Sequence, residues 1–105
     1  MENYTLVILE SPYAGNVEKN TEYARECLRD SLLRGEAPIA SHLLYTQDGV
    51  LDDLKPNERK MGIDAGLAWK KVAEKHVFYI DLGMSSGMKY AEKNSNLPIE
   101  YRKIK

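Results

Sequence analysis

The stretch Tyr4-Thr5-Leu6-Val7-Ile8-Leu9, followed at once by Glu10-Ser11-Pro12-Tyr13-Ala14-Gly15-Asn16, decides the fold. Its first six residues are apolar or β-branched and do not alternate with polar ones. A strand with one wet face alternates, whereas a strand covered on both faces does not, and parallel sheets are covered on both faces. The seven residues that follow are rich in turn formers, so a loop leaves the strand there. Downstream, Tyr23, Ala24, Cys27, Leu28, Ser31 and Leu32 recur at helical spacing and predict an amphipathic helix over 20–34, with Gly35 as its C-cap. A second strand is expected over 37–41, with Pro38 at its start.

The segment 42–55 reads as a long loop, and loops of that length without an element of their own are usually functional. Pro56 opens a second helix that runs to about 75, because a missing N–H is no loss at the first helical position. Met61, Ala65, Ala68, Trp69, Val72 and Ala73 are its expected buried stripe. A third strand over 76–82 leads into a Gly/Ser-rich turn. A third helix over 88–94 is capped by Ser85 or Ser86. In the last strand, 98–102, Ile99 and Tyr101 alternate with Glu100 and Arg102, as at a sheet edge. The order β-α-β-α-β-α-β predicts an α/β sandwich with a four-stranded parallel sheet in one domain, 1–105.

Composition bounds the function. The chain has 105 residues, 43% hydrophobic and 30% charged, with 15 Lys+Arg against 16 Asp+Glu. A formal charge of −1 supplies no bulk field for a polyanion, so no nucleic-acid polymer is expected as partner. The single cysteine, Cys27, cannot close an internal disulfide and sits on a helical apolar stripe, where core packing is expected. No apolar run approaches the ~20 residues that span a bilayer. Met1-Glu2-Asn3-Tyr4 lacks the basic and apolar regions of a signal peptide. A cytoplasmic protein with no membrane partner is therefore expected. A chain this short buries a modest core and is expected to complete its surface or its site as a homo-oligomer.

Ligands of parallel α/β sheets sit beyond the carboxyl ends of the strands, near the reversal in strand order. That rule selects 11–16, 41–47 and 81–88. In the first segment Ser11 and Gly15 permit close backbone approach, Pro12 shapes the turn, and Tyr13 offers a face for a base or sugar. In the third, Asp81 stands at a strand end, while Ser85, Ser86, Gly87 and Met88 open a helix whose free N–H groups favour an anion. The bland reading of that segment is capping alone. His42, Tyr45 and Gln47 lie beyond the second strand. Gln47 offers a paired donor and acceptor for a base edge. His42 has the chemistry of a general base, although a lone histidine is more often structural. Arg59, at the start of the second helix, could neutralise a phosphate. Asp48, Asp52 and Asp53 lack a metal-site pattern and read as a solvated turn, so no metal and no cofactor are expected. Neither common glycine-rich nucleotide fingerprint is present. Met84, Met88 and Trp69 read as core or interface, and Arg102, Lys103 and Lys105 as a solvated basic tail.

Ser-Pro-Tyr-Ala-Gly at 11–15 and Asp-Leu-Gly-Met-Ser-Ser-Gly-Met at 81–88, in this order and spacing, resemble the nucleoside 2-deoxyribosyltransferase-like superfamily. The similarity is to its small phage and bacterial branches, which carry S-P-Y-x-G and S-x-G-M, and it covers nearly the whole chain. That superfamily holds transferases and N-glycoside hydrolases of deoxynucleosides or their monophosphates. It also holds phage proteins that sequester nucleotide immune signals, including anti-Thoeris sponges. The resemblance implies a flavodoxin- or Rossmann-like three-layer sandwich and an oligomer with ligand sites near subunit contacts. It implies that Tyr13 is the aromatic residue of the first loop, Asp81 the strand-end carboxylate, and Ser85, Ser86 and Gly87 the sugar- or phosphate-holding segment.

One departure separates the chain from the transferases, whose glutamate nucleophile lies four residues after that glycine. Here the position is Ala91, and an alanine forms no glycosyl-enzyme intermediate. Glu92 is adjacent, but one helical residue turns a side chain by about 100°. The leading expectation is a non-catalytic, phage-encoded protein that binds and sequesters a nucleotide-derived small molecule, such as a cyclic immune signal. The alternatives are a nucleoside or nucleotide N-glycosidase or 2-deoxyribosyltransferase working through Asp81 and Glu92, and a protein-interaction module with a vestigial pocket.

Overall fold

The computed structural model describes residues 3–105. Four parallel strands, β1 (Thr5–Glu10), β2 (Glu36–Ile39), β3 (Lys75–Tyr79) and β4 (Ile99–Arg102), form one sheet in the order β2-β1-β3-β4. The helices are α1 (Val17–Leu33), a one-turn α2 (Ser41–Leu44), α3 (Pro56–Ala68) and α4 (Ser86–Asn94). The fold is a Rossmann- or flavodoxin-like α/β sandwich. The non-alternating run does what its composition requires: Val7, Ile8 and Leu9 are all sealed, because alternate side chains enter different layers. Val7 and Leu9 pack with Tyr23 and Cys27 of α1 and with Val77 and Tyr79 of β3. On the other face Phe78 packs with Leu67 of α3 and Met88 and Ala91 of α4. Cys27 is core, and burial pushes its thiol up to about 12.

Several expectations need correction. Helix α1 begins at Val17, three residues early, because Asn16 caps it by accepting a hydrogen bond from the Lys19 N–H. Leu32 is exposed, and Ser31 is buried as a hydroxyl donor to Glu36 rather than as part of an apolar stripe. Strand β2 begins at Glu36 and ends at Ile39, so Pro38 is internal to it, on an edge strand. The 42–55 loop is shortened by α2. Helix α3 ends at Ala68 and passes into a 3-10 turn, Trp69–Lys71, so the proposed stripe was laid on the wrong face. Met61, Trp69 and Val72 are exposed, and the packed side carries Ile63, Gly66 and Leu67. Glycine is needed there: a Cβ on Gly66 would lie 2.6 Å from the Cβ of Ser41. Strand β3 is Lys75–Tyr79, and α4 starts two residues early, at Ser86 with Ser85 as its cap.

Strand β4 is an edge strand, but its polar residues face inward. Arg102, expected in a solvated tail, is buried. Its guanidinium makes two hydrogen bonds to Glu36, Nη1–Oε1 at 2.8 Å and Nη2–Oε2 at 2.5 Å, and donates to the Tyr79 hydroxyl and to Glu100. Lys75 reaches the same two carboxylates, at 3.2 Å from Glu36 and 3.0 Å from Glu100. Burial alone would raise Glu36, but the hydrogen bonds from Arg102, Ser31 and Lys75 prevail and hold it at about 2; Arg102 and Lys75 hold Glu100 at about 2 as well. Both folded-state values lie below the ordinary value of 4.5. Their stabilisation is therefore complete above about pH 4.5 and is lost as the pH falls toward 2. Replacing Arg102 by Met leaves Glu36 without its main partner and should cost roughly 3 kcal/mol. Urea unfolding at pH 7 checks that loss, and the gap between wild type and Arg102→Met should narrow by pH 3.

Candidate functional site

The chain leaves β1 for β2 on one side of the sheet and returns to β3 on the other. The reversal opens a crevice beyond the carboxyl ends of β1 and β3. A cleft lies there, walled by the β1–α1 loop, α2, the first turns of α3 and the start of α4. Its enclosed part holds about 80 Å³, below the roughly 300–1,000 Å³ usual for a ligand pocket. It adjoins a more open trough of about 740 Å³ across Gly15, Gly49 and Leu54, with Tyr13 and Arg59 on both. A ligand larger than a sugar or phosphate must extend into that trough.

Asn20, in the second turn of α1, pins the first loop by donating to the carbonyls of Tyr13 and Ala14. Pro12 is buried beneath the loop, and Gly15 turns it with φ +101°. Ser11 is buried, with its Oγ 2.7 Å from Nε2 of His42 on α2. The other ring nitrogen of His42, Nδ1, is buried with no partner among the described residues. Burial pushes the imidazole below its ordinary 6.5, against a weaker upward pull from Glu10, so it is neutral at pH 7. An orphaned polar atom of this kind costs about 1–3 kcal/mol.

The opposite wall carries Arg59 and several hydrogen-bond donors. Arg59 lies across the start of α4, with Nη2 3.3 Å from the Ser86 Oγ and Nη1 3.8 Å from Asp53. Ser85 caps the helix by accepting from the Met88 N–H. That leaves the first N–H groups of α4, at Ser86 and Gly87, without intrahelical acceptors, as at any helix start. Ser85, Ser86, Gly87 and Met88 all line the cleft. A Cβ at Gly87 would lie at an ordinary 3.6 Å from Arg59 Nη2, so the packing there does not itself require glycine.

The cleft therefore gathers Ser11, Tyr13, His42, Arg59, Ser85, Ser86, Gly87 and Met88, and leaves other expected site residues outside. The Tyr45 hydroxyl accepts from the Trp69 indole. The Gln47 amide donates to the Leu44 carbonyl and borders a separate shallow trough. Asp81 points into the α1 layer. It accepts from the Tyr23 hydroxyl at 2.5 Å and from the N–H groups of Ile104 and Lys105, and these bonds overcome burial to hold its carboxyl below the usual range. Glu92 is also outside, hydrogen-bonded to the Tyr101 hydroxyl, whereas Ala91 is buried and lines the cleft. Three carboxylates that the sequence did not place in the site line it too: Glu10, Glu58 and Asp53, which was read as part of a solvated turn but faces Arg59. Glu10 was read as the first residue of the loop, whereas it is the last residue of β1. Asp53 and Glu58 were not legible as site residues, because the path of 42–55 decides where they point.

Asp81 thus anchors the last residues and does not line the cleft. In Asp81→Ala, amide exchange at Ile104 and Lys105 should accelerate by at least tenfold, while the amide resonances of Ser86 and Gly87 stay in place. Exchange monitored by NMR reads both.

No curated protein matches the chain. A family model does, over residues 5–102, and it takes in every strand and all of the cleft. The chain belongs to the family described as a domain of unknown function, DUF7768.

Proposed function

We propose that this protein binds a nucleotide-derived small molecule without transforming it, and that it acts by sequestration. The reading draws on the resemblance to the nucleoside 2-deoxyribosyltransferase-like superfamily. The observation that carries it is the pairing of a retained cleft with a missing nucleophile. Ala91, where the transferases carry glutamate, presents a methyl group to the cleft, and the neighbouring carboxylate of Glu92 is held outside it by Tyr101. A methyl group forms no covalent intermediate. The start of α4 and Arg59 offer a phosphate backbone N–H groups and a planar cation together. Tyr13, on both the enclosed cleft and the open trough, offers a face to a base or ribose that extends outward.

In this reading the ligand is a small nucleotide signal such as a cyclic one, and the protein is a phage-encoded counter to a host defence that uses it. One incubation with two readouts tests the reading. The protein is mixed with deoxynucleosides, deoxynucleoside monophosphates, cyclic nucleotides and cyclic ADP-ribose isomers. Mass spectrometry then follows the free base and the ligand retained by the protein. Intact ligand that is held and recovered unchanged on denaturation is expected, with Glu92→Ala indistinguishable from wild type. Free base that accumulates with time, and is abolished in Glu92→Ala, would replace this reading with N-glycoside hydrolysis.

A further inference from the structure

Glu10 is the last residue of β1 and faces the same layer as Ile8, toward α3 and α4. Its side chain is only 14% exposed and lines the cleft. One oxygen, Oε2, lies 2.8 Å from Nε2 of His76. His76 is completely buried, stacked on Phe78 with ring centroids 4.7 Å apart, and its other nitrogen lies 3.0 Å from the Ser95 Oγ. Both ring nitrogens are thus engaged, and the carboxylate is gripped from behind. Among the described residues nothing donates to the second oxygen, Oε1, and it is not among the sealed polar atoms without partners. Oε1 is therefore open to the cleft, where water or a ligand donor can meet it. The orphaned Nδ1 of His42, in the same cleft wall, is a second polar group that the protein leaves unmet.

We propose that Glu10, positioned by His76 and Ser95, accepts through its free oxygen from the 2′-hydroxyl of the bound ligand's sugar, so that the cleft selects a free ribose diol over its 2′-deoxy counterpart. The inference rests on the nucleotide-binding reading above. Three features carry it. The free oxygen of Glu10 is an acceptor available to a ligand donor in the cleft. The cleft itself, about 80 Å³, is too small for a whole nucleotide, so only part of such a ligand would lie against Glu10. The carboxylates Glu10, Asp53 and Glu58 share the lining with the single cation Arg59, so the ligand must carry uncharged donors as well as an anion. A vicinal diol next to a phosphate meets both demands. His76 and Ser95 are positioning residues and touch no ligand.

Calorimetric titration with adenosine 5′-monophosphate and 2′-deoxyadenosine 5′-monophosphate tests the inference. Wild type should bind the ribonucleotide at least tenfold more tightly, the size expected for hydrogen bonding to a charged acceptor. In Glu10→Gln the ratio should fall below threefold, with affinity for the deoxynucleotide within twofold of wild type. Ser95→Ala should also lower the ratio without weakening the deoxynucleotide, a pattern that general loosening of the fold would not give. Arg59→Ala should weaken both nucleotides alike. Equal binding of the two by wild type, which needs no variant to fold, overturns the role of Glu10, as does an unchanged ratio in Glu10→Gln. Loss of binding in Arg59→Ala would then show that the nucleotide reading still stands. Binding of neither nucleotide to wild type at millimolar concentration overturns that reading and this inference together.

Discussion

The sheet is held closed by a contact between its two edges. Arg102, at the end of β4, meets Glu36, at the start of β2, across the face that α1 covers alone. One helix cannot cover four strands, and the area it leaves is filled by a hydrogen-bonded network instead of apolar side chains. Glu36 receives Arg102, Lys75 and Ser31, and Tyr79 links the network to Asp30 of α1. Burying charge is expensive, and such a network is tolerable only when each member is satisfied. Here each charge has at least one close partner. The network also fixes the position of α1 over the sheet, because Ser31 and Asp30 lie on its last turns.

From that closure the cleft follows. With α1 on one face and α3 and α4 on the other, the central pair β1 and β3 delivers its carboxyl ends to the same crevice. Glu10 and Ser11 arrive from β1, the start of α4 follows β3, and Arg59 crosses from α3 to Ser86. The donors and the acceptors of the site therefore come from different strands and helices, and their spacing is set by the sheet rather than by any one loop. The tight approach of Gly66 to Ser41 seats α2 against α3, which puts His42 in the cleft wall.

Much of this was legible in the sequence, for identifiable reasons. The run ending at Leu9 announced a strand covered on both sides, and the carboxyl-end rule found Ser11, Tyr13 and the 85–88 segment without knowledge of a ligand. What failed was the reading of faces. Helix α3 has too little contrast between its sides for residue type alone to select the packed one, since that side is chosen by Gly66, which lets α2 approach, and by Gly62, which lies against Leu51 and Tyr45. Arg102 was read as solvated because a chain-terminal basic residue usually is; its partner, Glu36, is 66 residues away and unrecognisable from local pattern. Asp81 looked like a ligand group because it ends a strand in the selected segment. A side chain's layer depends on the turn that follows the strand, and that turn sent Asp81 toward Tyr23.

The central claim is that the cleft beyond β1 and β3 is where the small molecule binds, with its anion at the start of α4. Amide chemical-shift mapping during titration with adenosine 5′-monophosphate tests it most directly. The account predicts the largest shifts at Ser86 and Gly87, with accompanying changes at Ser11 and in the side-chain nitrogens of His42. Shifts confined to the trough beside Gln47, or to the Lys75–Glu100 edge, with Ser86 and Gly87 unmoved, would contradict it.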